Sequence, residues 1–225
     1  AVVLESAAIG ILFDGDADRV GFFDEKGQFV SADHMFLLIA RELIKKYPGA
    51  AFVHDLLFTK AFGDQIKELG GVAYESKVGH AFVKNRIRET GAIAGAEFST
   101  HFNFKENYGA ESSEYAALLA LKILKESGKK LSELVLDLKK YYHSGVINFH
   151  AHEKDRIMAD MKTVYSAQAR KVSDLDGYKF TFDDWWFCVR PSNTEPVLRL
   201  VVEADTENLL DEKLAELQEF IHSRT

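Results

Sequence analysis

Short apolar runs alternate with longer stretches in which apolar positions recur at a helical period through the first 140 residues. The runs predict buried strands, and the periodic stretches predict helices with one apolar face. The predicted strands span 9–13, 20–23, 51–55, 72–76 and 92–98, and the predicted helices span 32–46, 60–69, 81–90, 113–126 and 131–140. We expect Ser31 to cap the first helix. Strands that alternate with helices require crossover connections, which predict a three-layer α/β/α domain around a mixed, largely parallel sheet.

The pattern changes near Tyr141, where we expect a domain boundary. Beyond it, the periodicity predicts strands at 146–151, 178–182, 185–189 and 197–204, and helices at 155–170 and 207–222. The last three strands have connections too short for crossovers, so they predict an antiparallel sheet. With the helices on one side of that sheet, this segment is typical of an α+β domain.

The composition excludes several classes of protein. At 225 residues, with 47% hydrophobic and 28% charged residues, the chain is long enough to bury two cores and is not intrinsically disordered. A formal net charge of −7 without a basic helix face argues against nucleic-acid partners. Local arginines and backbone N–H groups still allow a small phosphorylated ligand. No apolar stretch approaches the roughly 20 residues that span a bilayer, so we expect no membrane contact.

Two further features concern the setting of the chain. Cys188 is the single cysteine, which excludes an internal disulfide and a cysteine-based zinc site and fits a reducing, cytoplasmic location. The chain begins Ala1-Val2-Val3 without an initiator Met and almost directly inside a structural pattern. We therefore expect it to be one portion of a longer protein.

The acidic loop, residues 14–19, joins the first two predicted strands. It contains three carboxylates, those of Asp14, Asp16 and Asp18. Alternation along an extended backbone is expected to turn these side chains to one side. Like charges held together need a cation, and ligands that are all oxygen favour Mg²⁺.

Other interpretations of the acidic loop stay open at this point. A calcium loop of the EF-hand type would take ligands from its positions 1, 3, 5 and 12, which are Asp14, Asp16, Asp18 and Glu25. Arg19 stands where that loop needs Gly, and the flanks are strands, so both features oppose it. Asp14 or Asp16 could instead be the nucleophile of a phosphatase that forms an aspartyl-phosphate. The remaining alternative is a solvated acidic turn.

Two more loops place polar groups at the ends of predicted strands, where ligands commonly bind. In the histidine loop, residues 95–101, Glu97 and Ser99 can hydrogen-bond sugar hydroxyls. His101 can donate to a ligand or act as acid or base, and the alternative for this loop is a polar turn with a surface histidine. The proline loop, residues 190–196, offers hydroxyl and amide groups that can bind one anion, and its alternative is a rigid hairpin loop.

The three loops resemble those of the α-D-phosphohexomutase family, which includes phosphoglucomutase and phosphomannomutase. The acidic loop resembles the family's metal-binding loop, and the histidine loop matches Gly-Glu-Met-Ser-Gly-His at Glu97, Ser99 and His101. The proline loop closely matches Arg-Pro-Ser-Gly/Asn-Thr-Glu-Pro. Lys77–His80 resembles the family's Lys-Thr-Gly-His segment, and the alternative for it is a turn that only starts the following helix. These matches occur in the family's order and cover nearly the whole chain.

The resemblance implies roles for individual residues. The ligands of Mg²⁺, together with a phosphoserine oxygen, are implied to be Asp14, Asp16 and Asp18. The residues with a catalytic part are implied to be Arg19, His80 and His101, with Arg19 holding the active-site phosphate. The residues that bind the substrate are implied to be Lys77, Glu97, Ser99 and His101, and, for its non-reacting phosphate, Arg190, Ser192, Asn193 and Thr194.

The resemblance also implies an architecture and a reaction. Residues 1–28 would end domain 2, residues 29–140 would form domain 3, and residues 141–225 would form a domain 4 that resembles the TATA-binding protein. Family members move phosphate between C1 and C6 of a hexose phosphate through a phosphoserine and a hexose 1,6-bisphosphate, with Mg²⁺ as cofactor. The family's Thr-Ala-Ser-His-Asn-Pro motif does not occur here, so we expect the isolated chain to be inactive without the missing N-terminal domains. The alternatives are a non-catalytic module that binds sugar phosphates and, less favoured, a Mg²⁺-dependent phosphatase.

Several positions depart from the family pattern and leave the preferred sugar open. Phe98 stands for Met and Thr100 stands for Gly in the histidine loop. Glu111-Ser112-Ser113 replaces the usual Asp-Asp-Gly, and Leu57 stands where many members carry a basic residue.

Overall fold

The computed structural model describes residues 1–192 and 195–224, and the chain divides into two compact units, Ala1–Lys139 and Lys140–Thr225. Asn193 and Thr194, which the resemblance implies to bind phosphate, lie outside the described residues. Within those ranges, no helix combines the length and apolar character that crossing a bilayer requires.

The first unit alternates strands and helices. Its strands are β1 (Gly10–Phe13), β2 (Val20–Phe23), β3 (Phe29–Val30), β4 (Ala51–Asp55), β5 (Val72–Ser76), β6 (Ala94–Ala96) and β7 (Phe102–Phe104). Its helices are α1 (Ala32–Lys46), α2 (Lys60–Glu68), α3 (His80–Thr90), α4 (Ser113–Ser127) and α5 (Leu131–Leu136). Strands β1, β2 and β3 form an antiparallel sheet in that order. A second sheet has the order β5-β4-β6-β7, with β4 parallel to both neighbours and β7 antiparallel to β6.

Helices cover both faces of the second sheet because β4 presents apolar side chains on each face. Phe52 belongs to the core formed with α1 and α2, whereas Val53 packs with Val83 of α3. In the first of these layers Phe36 stacks on Phe62, with ring centroids 5.1 Å apart. The prediction of a three-layer α/β/α domain with a mixed, largely parallel sheet is therefore confirmed.

The second unit is built around an antiparallel sheet. Its strands are β8 (Tyr142–His143), β9 (Ile147–His150), β10 (Lys171–Ser173), β11 (Tyr178–Thr181), β12 (Trp185–Pro191) and β13 (Val197–Ala204), and its helices are α6 (Lys154–Tyr165) and α7 (Glu207–His222). The strand order is β10-β11-β12-β13-β8, and β9 also pairs with β13. Side chains of both helices, such as Ile157 and Leu217, share one core with Phe187 of the sheet. The predicted α+β arrangement is confirmed.

Three local predictions about helices are wrong. The predicted helix 131–140 ends at Leu136, as α5. The predicted helix 155–170 ends at Tyr165, where the Ala169 N–H donates to the Tyr165 carbonyl oxygen at 3.0 Å and the chain then forms β10. Ser31 occupies the N-cap position of α1 without capping it through its side chain. Its hydroxyl instead donates to the carboxylate of Asp33 and lies 2.7 Å from Nδ1 of His34.

Candidate functional site

The acidic loop is a turn, and the expected extended alternation is wrong. Ala17 has φ = +59°, in the left-handed region, and its N–H donates to the Asp14 carbonyl oxygen at 3.3 Å. The Arg19 N–H donates to Asp14 Oδ1 at 3.2 Å. One carboxylate oxygen from each of Asp14, Asp16 and Asp18 lies within 4.8 Å of the others. The left-handed turn, rather than a strand, brings the three carboxylates together.

The donor set of the acidic loop fits a hard divalent cation. Its candidate ligand atoms are all carboxylate oxygens, which Mg²⁺ prefers. Asp18 Oδ1 is buried and has no hydrogen-bond partner among the residues that the structure describes, so it is available to a cation. Arg19 Nε lies 3.6 Å from Asp14 Oδ2 and 3.9 Å from Asp18 Oδ1, where it offsets part of the negative charge.

Glu25, which would complete a calcium loop, is engaged elsewhere. Its carboxylate accepts hydrogen bonds from the Ser132 N–H at 3.3 Å and from the Ser132 hydroxyl at 2.5 Å. Burial raises the pKa of Glu25, but the bonds with Ser132 outweigh burial and hold that pKa below its ordinary value. Because strands also flank the acidic loop, the EF-hand arrangement is excluded.

Backbone hydrogen bonds join the histidine loop to the acidic loop. The Glu97 N–H donates to the His101 carbonyl oxygen and the Thr100 N–H donates to the Glu97 carbonyl oxygen, both at 3.0 Å. Thr100 closes this turn with φ = +72°. The Val20 N–H donates to the Thr100 carbonyl oxygen at 3.2 Å. Arg19 and His101 pair in an antiparallel β-bridge, so the two loops form one continuous surface.

The His101 ring lies between carboxylates from both loops, and the residue is 7% exposed. Its Nδ1 lies 3.3 Å from Glu97 Oε2 and 2.9 Å from Ser99 Oγ. Its Nε2 lies 3.4 Å from Asp18 Oδ2 and 3.3 Å from Arg19 Nε. The His101 imidazole thus contacts Glu97 and Ser99 of its own loop. It also contacts Asp18 and Arg19 of the acidic loop.

The neighbours of His101 act on its proton in opposite directions. Burial and the Arg19 charge lower the pKa of His101, but the Glu97 and Asp18 carboxylates outweigh them and raise it above its ordinary value. The Arg19 Nε–H can donate only to an unprotonated Nε2, so this bond favours the neutral ring. At 3.3 Å it is long for a hydrogen bond, and the carboxylates therefore dominate.

Glu97 ties the Lys77–His80 segment to the histidine loop. The Glu97 side chain is 2% exposed, and its Oε1 accepts the Gly79 N–H at 2.8 Å. Gly79 has φ = +128°, a conformation that glycine alone adopts without strain. Glu97 Oε2 makes an ion-pair contact with His101 but no aligned hydrogen bond within the described part of the chain.

His80 and Lys77 come from that same segment and differ in their surroundings. His80 is the first residue of α3, and its ring centroid lies 6.1 Å from that of His101. Its Nδ1 lies 3.2 Å from Glu111 Oε1. Lys77 is exposed, with its Nζ 5.6 Å from the ring centroid of Phe82.

A buried carboxylate that the sequence predictions missed, that of Asp55, holds the histidine loop. Asp55 ends β4 and is 0% exposed. Its Oδ1 accepts the Leu57 N–H at 3.0 Å, and its Oδ2 accepts the Phe98 N–H at 2.8 Å. An acidic residue at the end of an apolar strand is the signal that could have identified it. Lys84, which forms an ion pair with Glu111, was missed as well.

In the second unit, a neighbouring turn fixes Arg190. Arg190 is 5% exposed, and its Nε lies 3.0 Å from Asp176 Oδ2. Gly177, with φ = +73°, lies so close that a Cβ there would be 2.3 Å from the Val189 carbonyl oxygen and 2.7 Å from Arg190 Cβ. The turn that contains Asp176 and Gly177 therefore orients the arginine, and the sequence predictions did not include it.

Lys154, at the start of α6, closes the proline loop. Its Nζ donates to the carbonyl oxygens of Ser192 at 3.1 Å and Glu195 at 3.2 Å. Ser192 is 4% exposed, and its hydroxyl accepts the Glu195 N–H at 3.3 Å. Arg199 Nη2 donates to Glu195 Oε2 at 3.1 Å. Two cations thus stabilise the described ends of the loop.

Two protein-family domains match the chain. The domain described as "Phosphoglucomutase/phosphomannomutase, alpha/beta/alpha domain III" matches residues 31–142. The domain described as "Phosphoglucomutase/phosphomannomutase, C-terminal domain" matches residues 146–220. Together they cover most of both compact units.

Proteins that are similar to this chain in sequence or structure are named as phosphomannomutases or related mutases. A phosphomannomutase of Methanocaldococcus jannaschii is 40% identical over 221 residues, which are 98% of this chain and 49% of the relative. A crystal structure of a phosphoglucomutase/phosphomannomutase family protein from Burkholderia thailandensis matches with a TM-score of 0.85 and 30% identity over 99% of this chain and 48% of that one. N-acetylphosphoglucosamine mutase of Aspergillus fumigatus, in complex with GlcNAc-6P and magnesium, shares the fold at a TM-score of 0.70 and 14% identity, over 94% of this chain and 51% of that one. The chain spans about half the length of these relatives.

Proposed function

Because the chain belongs to the phosphoglucomutase/phosphomannomutase family, we propose that it binds a hexose phosphate and Mg²⁺ as part of an enzyme that moves phosphate between two positions of the sugar. The observation that carries this proposal is the β-bridge between Arg19 and His101, which joins the acidic loop to the histidine loop. Beside it, Asp18 Oδ1 and Glu97 Oε2 are buried and accept no aligned hydrogen bond from the described residues, although Glu97 Oε2 lies 3.3 Å from His101 Nδ1. A metal ion and a sugar hydroxyl are partners suited to such oxygens.

Asp14, Asp16 and Asp18 would hold the metal, which when bound supplies Lewis-acid stabilisation of a phosphoryl oxygen. The convergence of their carboxylate oxygens within 4.8 Å supports this assignment. The Aspergillus fumigatus relative was determined with magnesium bound. Arg19 adds a fixed positive charge beside the same carboxylates, and we assign it to an oxygen of the reacting phosphate.

The histidine loop would bind the sugar. Glu97 Oε2 accepts one sugar hydroxyl, and the exposed Ser99 offers a hydroxyl that donates or accepts. We assign His101, whose Nδ1 lies 3.3 Å from Glu97 Oε2 and 2.9 Å from Ser99 Oγ, to hold a proton and deliver it to a sugar oxygen. We assign His80 and Lys77 to the same ligand because Gly79 between them donates to Glu97.

The proline loop would bind the phosphate that does not react. Arg190 is the main charged group, and its fixed, buried position supports a role in recognition because little side-chain freedom is lost on binding. We assign Ser192, Asn193 and Thr194 to the same phosphate as hydrogen-bond donors, through their hydroxyl, amide and backbone groups.

We infer that turnover needs parts of a parent enzyme beyond this chain. In the proposed reaction, phosphate moves between C1 and C6 through a phosphoserine and a hexose 1,6-bisphosphate, and the Thr-Ala-Ser-His-Asn-Pro motif does not occur in this sequence. The isolated chain would then bind a hexose phosphate without converting it. Residues 1–28, 29–140 and 141–225 would be the end of domain 2, domain 3 and domain 4 of the parent.

Calorimetric titration of the chain with glucose 6-phosphate or mannose 6-phosphate, with and without Mg²⁺, tests the proposed function. We expect Arg190→Ala to weaken binding roughly tenfold to a hundredfold, because charge-assisted hydrogen bonds contribute about 1.5–3 kcal/mol. The matched control is Arg170→Ala, which removes an exposed arginine of the same unit and should leave the affinity unchanged.

Four results would contradict these assignments. Absence of hexose phosphate binding, or binding that Arg190→Ala leaves unchanged, would remove the proposed recognition. Conversion of hexose 1-phosphate to the 6-phosphate by the isolated chain, with Mg²⁺ and bisphosphate present, would overturn its inactivity. Release of inorganic phosphate that Asp14→Asn abolishes would favour the phosphatase alternative.

A further inference from the structure

Glu111 bridges two side chains of α3 that the helical period places on one face. His80 and Lys84 are four residues apart, so their side chains lie one turn from each other. Glu111 Oε1 lies 3.2 Å from His80 Nδ1, and Glu111 Oε2 contacts the Lys84 ammonium. The Glu111 side chain is 14% exposed, whereas that of His80 is 58% exposed. The carboxylate is thus largely enclosed, and the imidazole it contacts faces solvent.

Backbone contacts fix both ends of this arrangement. Glu111 pairs with Asn103 in an antiparallel bridge, and its carbonyl oxygen accepts Asn107 Nδ2–H at 3.1 Å. At the other end, the Gly79 N–H that precedes His80 donates to Glu97 at 2.8 Å. The contacts with Asn103 and Glu97 lead back to the strands and turn that carry the histidine loop. The position of the His80 ring therefore depends on the same framework as His101.

The contact with Glu111 determines which His80 nitrogen carries the proton. An ionised carboxylate only accepts hydrogen bonds, so the ring nitrogen that faces it must be N–H. Burial raises the pKa of Glu111, but Lys84 outweighs burial and holds it below the ordinary value, so the carboxylate is charged. In the neutral ring, Nδ1–H then faces Glu111 and the lone pair lies on Nε2.

We propose that Glu111 is a positioning residue that holds His80 in its Nδ1–H form, so that Nε2 accepts a hydrogen bond from a hydroxyl of the bound sugar. This rests on the proposed function for the identity of the ligand, but the proton position itself does not depend on it. Lys84 serves the same end because it keeps the second Glu111 oxygen occupied.

Nitrogen-15 NMR of the neutral imidazoles tests the proposal directly. Spectra are recorded at about pH 8.5, well above the ordinary histidine pKa, and the His80 resonances among the 8 histidines are assigned with His80→Gln. We expect a pyrrole-like shift at Nδ1 and a pyridine-like shift at Nε2 of His80. In the free side chain the opposite form, Nε2–H, predominates. In Glu111→Met, which keeps the chain length but offers no acceptor oxygen, His80 should revert to mainly Nε2–H.

If His80 of the wild type is mainly in the Nε2–H form, the proposal is overturned. It is also overturned if His80 keeps the Nδ1–H form in Glu111→Met. Calorimetry adds a separate measurement. Glu111→Met should weaken hexose 6-phosphate binding about fivefold, the effect of one lost neutral hydrogen bond, and leave inorganic phosphate binding unchanged. If the wild-type chain binds no hexose phosphate, the proposed function fails, whereas the NMR result still decides the role of Glu111.

Discussion

Thr100 adopts a backbone conformation that β-branched residues rarely occupy. Its φ of +72° lies in the left-handed region, in the turn that its N–H closes on Glu97. This region costs a residue with a Cβ about 1–2 kcal/mol, and glycine enters it without that penalty. The hydrogen bonds of the turn therefore maintain it against the conformational cost of Thr100.

We expect Thr100→Gly to raise the free energy of unfolding by about 0.5–1 kcal/mol. Relief of the left-handed strain is partly offset by the greater freedom of glycine in the unfolded chain, which costs about 0.4–1 kcal/mol. Urea unfolding measures the difference. Thr100→Ala keeps a Cβ and is the matched control, so it should show no comparable gain. If Thr100→Gly were less stable than the wild type, the proposed backbone strain at Thr100 would be contradicted.

Glu106 is an exposed residue whose carboxylate accepts three hydrogen bonds. It accepts hydrogen bonds from the Tyr115 hydroxyl at 2.5 Å, the Tyr47 hydroxyl at 2.7 Å and the Lys46 ammonium at 3.1 Å. These bonds lower the pKa of Glu106 from 4.5 to about 2. The ionised form is thus favoured in the folded chain relative to the unfolded one.

The depressed pKa of Glu106 gives a pH-dependent contribution to stability. The contribution is present above the unfolded pKa of 4.5 and is lost as the pH falls toward the folded value of about 2. Glu106→Gln should therefore be less stable than the wild type at pH 7, and the gap should narrow as the pH falls from about 5 to 3. Urea unfolding across this range measures the gap. The exposed Glu5→Gln is the control, and a gap of constant size would refute the assignment.

At the level of elements, Lys154 of α6 links a helix to the proline loop. Because its ammonium donates to carbonyl oxygens on both sides of residues 193–194, it holds the loop ends together. We expect removal of the ammonium to leave α6 and the sheet core unchanged and to free Ser192 and Glu195, which a bound phosphate would then have to hold in place.

We expect Lys154→Met to weaken hexose 6-phosphate binding about fivefold to tenfold while the melting temperature changes little. Calorimetry and thermal unfolding measure the two quantities. Lys171→Met removes an exposed lysine of β10 and is the control for the loss of one charge in the same unit. Equal affinity of the wild type and Lys154→Met for hexose 6-phosphate would show that ligand binding does not need the Lys154 bonds to Ser192 and Glu195.

Helices whose apolar residues form a continuous stripe along one face could be predicted from the sequence. Helices α1 and α7 begin and end at the predicted residues because a local stripe determines each of them. Strand β10 could not be predicted, because residues 166–170 are compatible with a helix and only pairing with β11 makes the next three residues a strand. The short β3 and β7 are likewise defined by pairing, in their case with the neighbouring strands β2 and β6, and β8 is defined by pairing with the distant β13.

Some residues of the candidate site could likewise be predicted from the sequence, and others could not. The resemblance identifies polar side chains such as Glu97 and Arg190, whose roles stay predictions. It does not identify the groups that hold them, because the Asp55 bond to Phe98 and the Asp176 contact with Arg190 join residues separated along the chain. No periodicity reports such contacts, so they become visible only in three dimensions.

For the whole molecule, the two compact units should respond differently to Mg²⁺. The proposed ligands all lie in Ala1–Lys139, so binding stabilises that unit. At a free concentration about 100 times the Kd, the gain is about 2.7 kcal/mol, which slows exchange of the most protected amides of the unit about a hundredfold. Amides in Lys140–Thr225 should exchange at unchanged rates.

Hydrogen exchange with mass spectrometry, with and without Mg²⁺, measures this difference. Asp16→Asn is the preferred variant and should abolish the protection. Asp14 is less suitable because its carboxylate also accepts the Arg19 N–H and therefore holds the loop itself. Mg²⁺ protection that survives Asp16→Asn, or that extends equally to both units, would contradict the metal site.

The Asp55 carboxylate has a consequence for how proteins of this kind diversify. It holds the histidine loop through the backbone N–H of Phe98, and the turn closes through the backbone groups of Glu97, Thr100 and His101. None of these bonds depends on the side chain at position 98 or 100. A descendant can therefore exchange either side chain for any residue except proline, which lacks the N–H, and still form these hydrogen bonds.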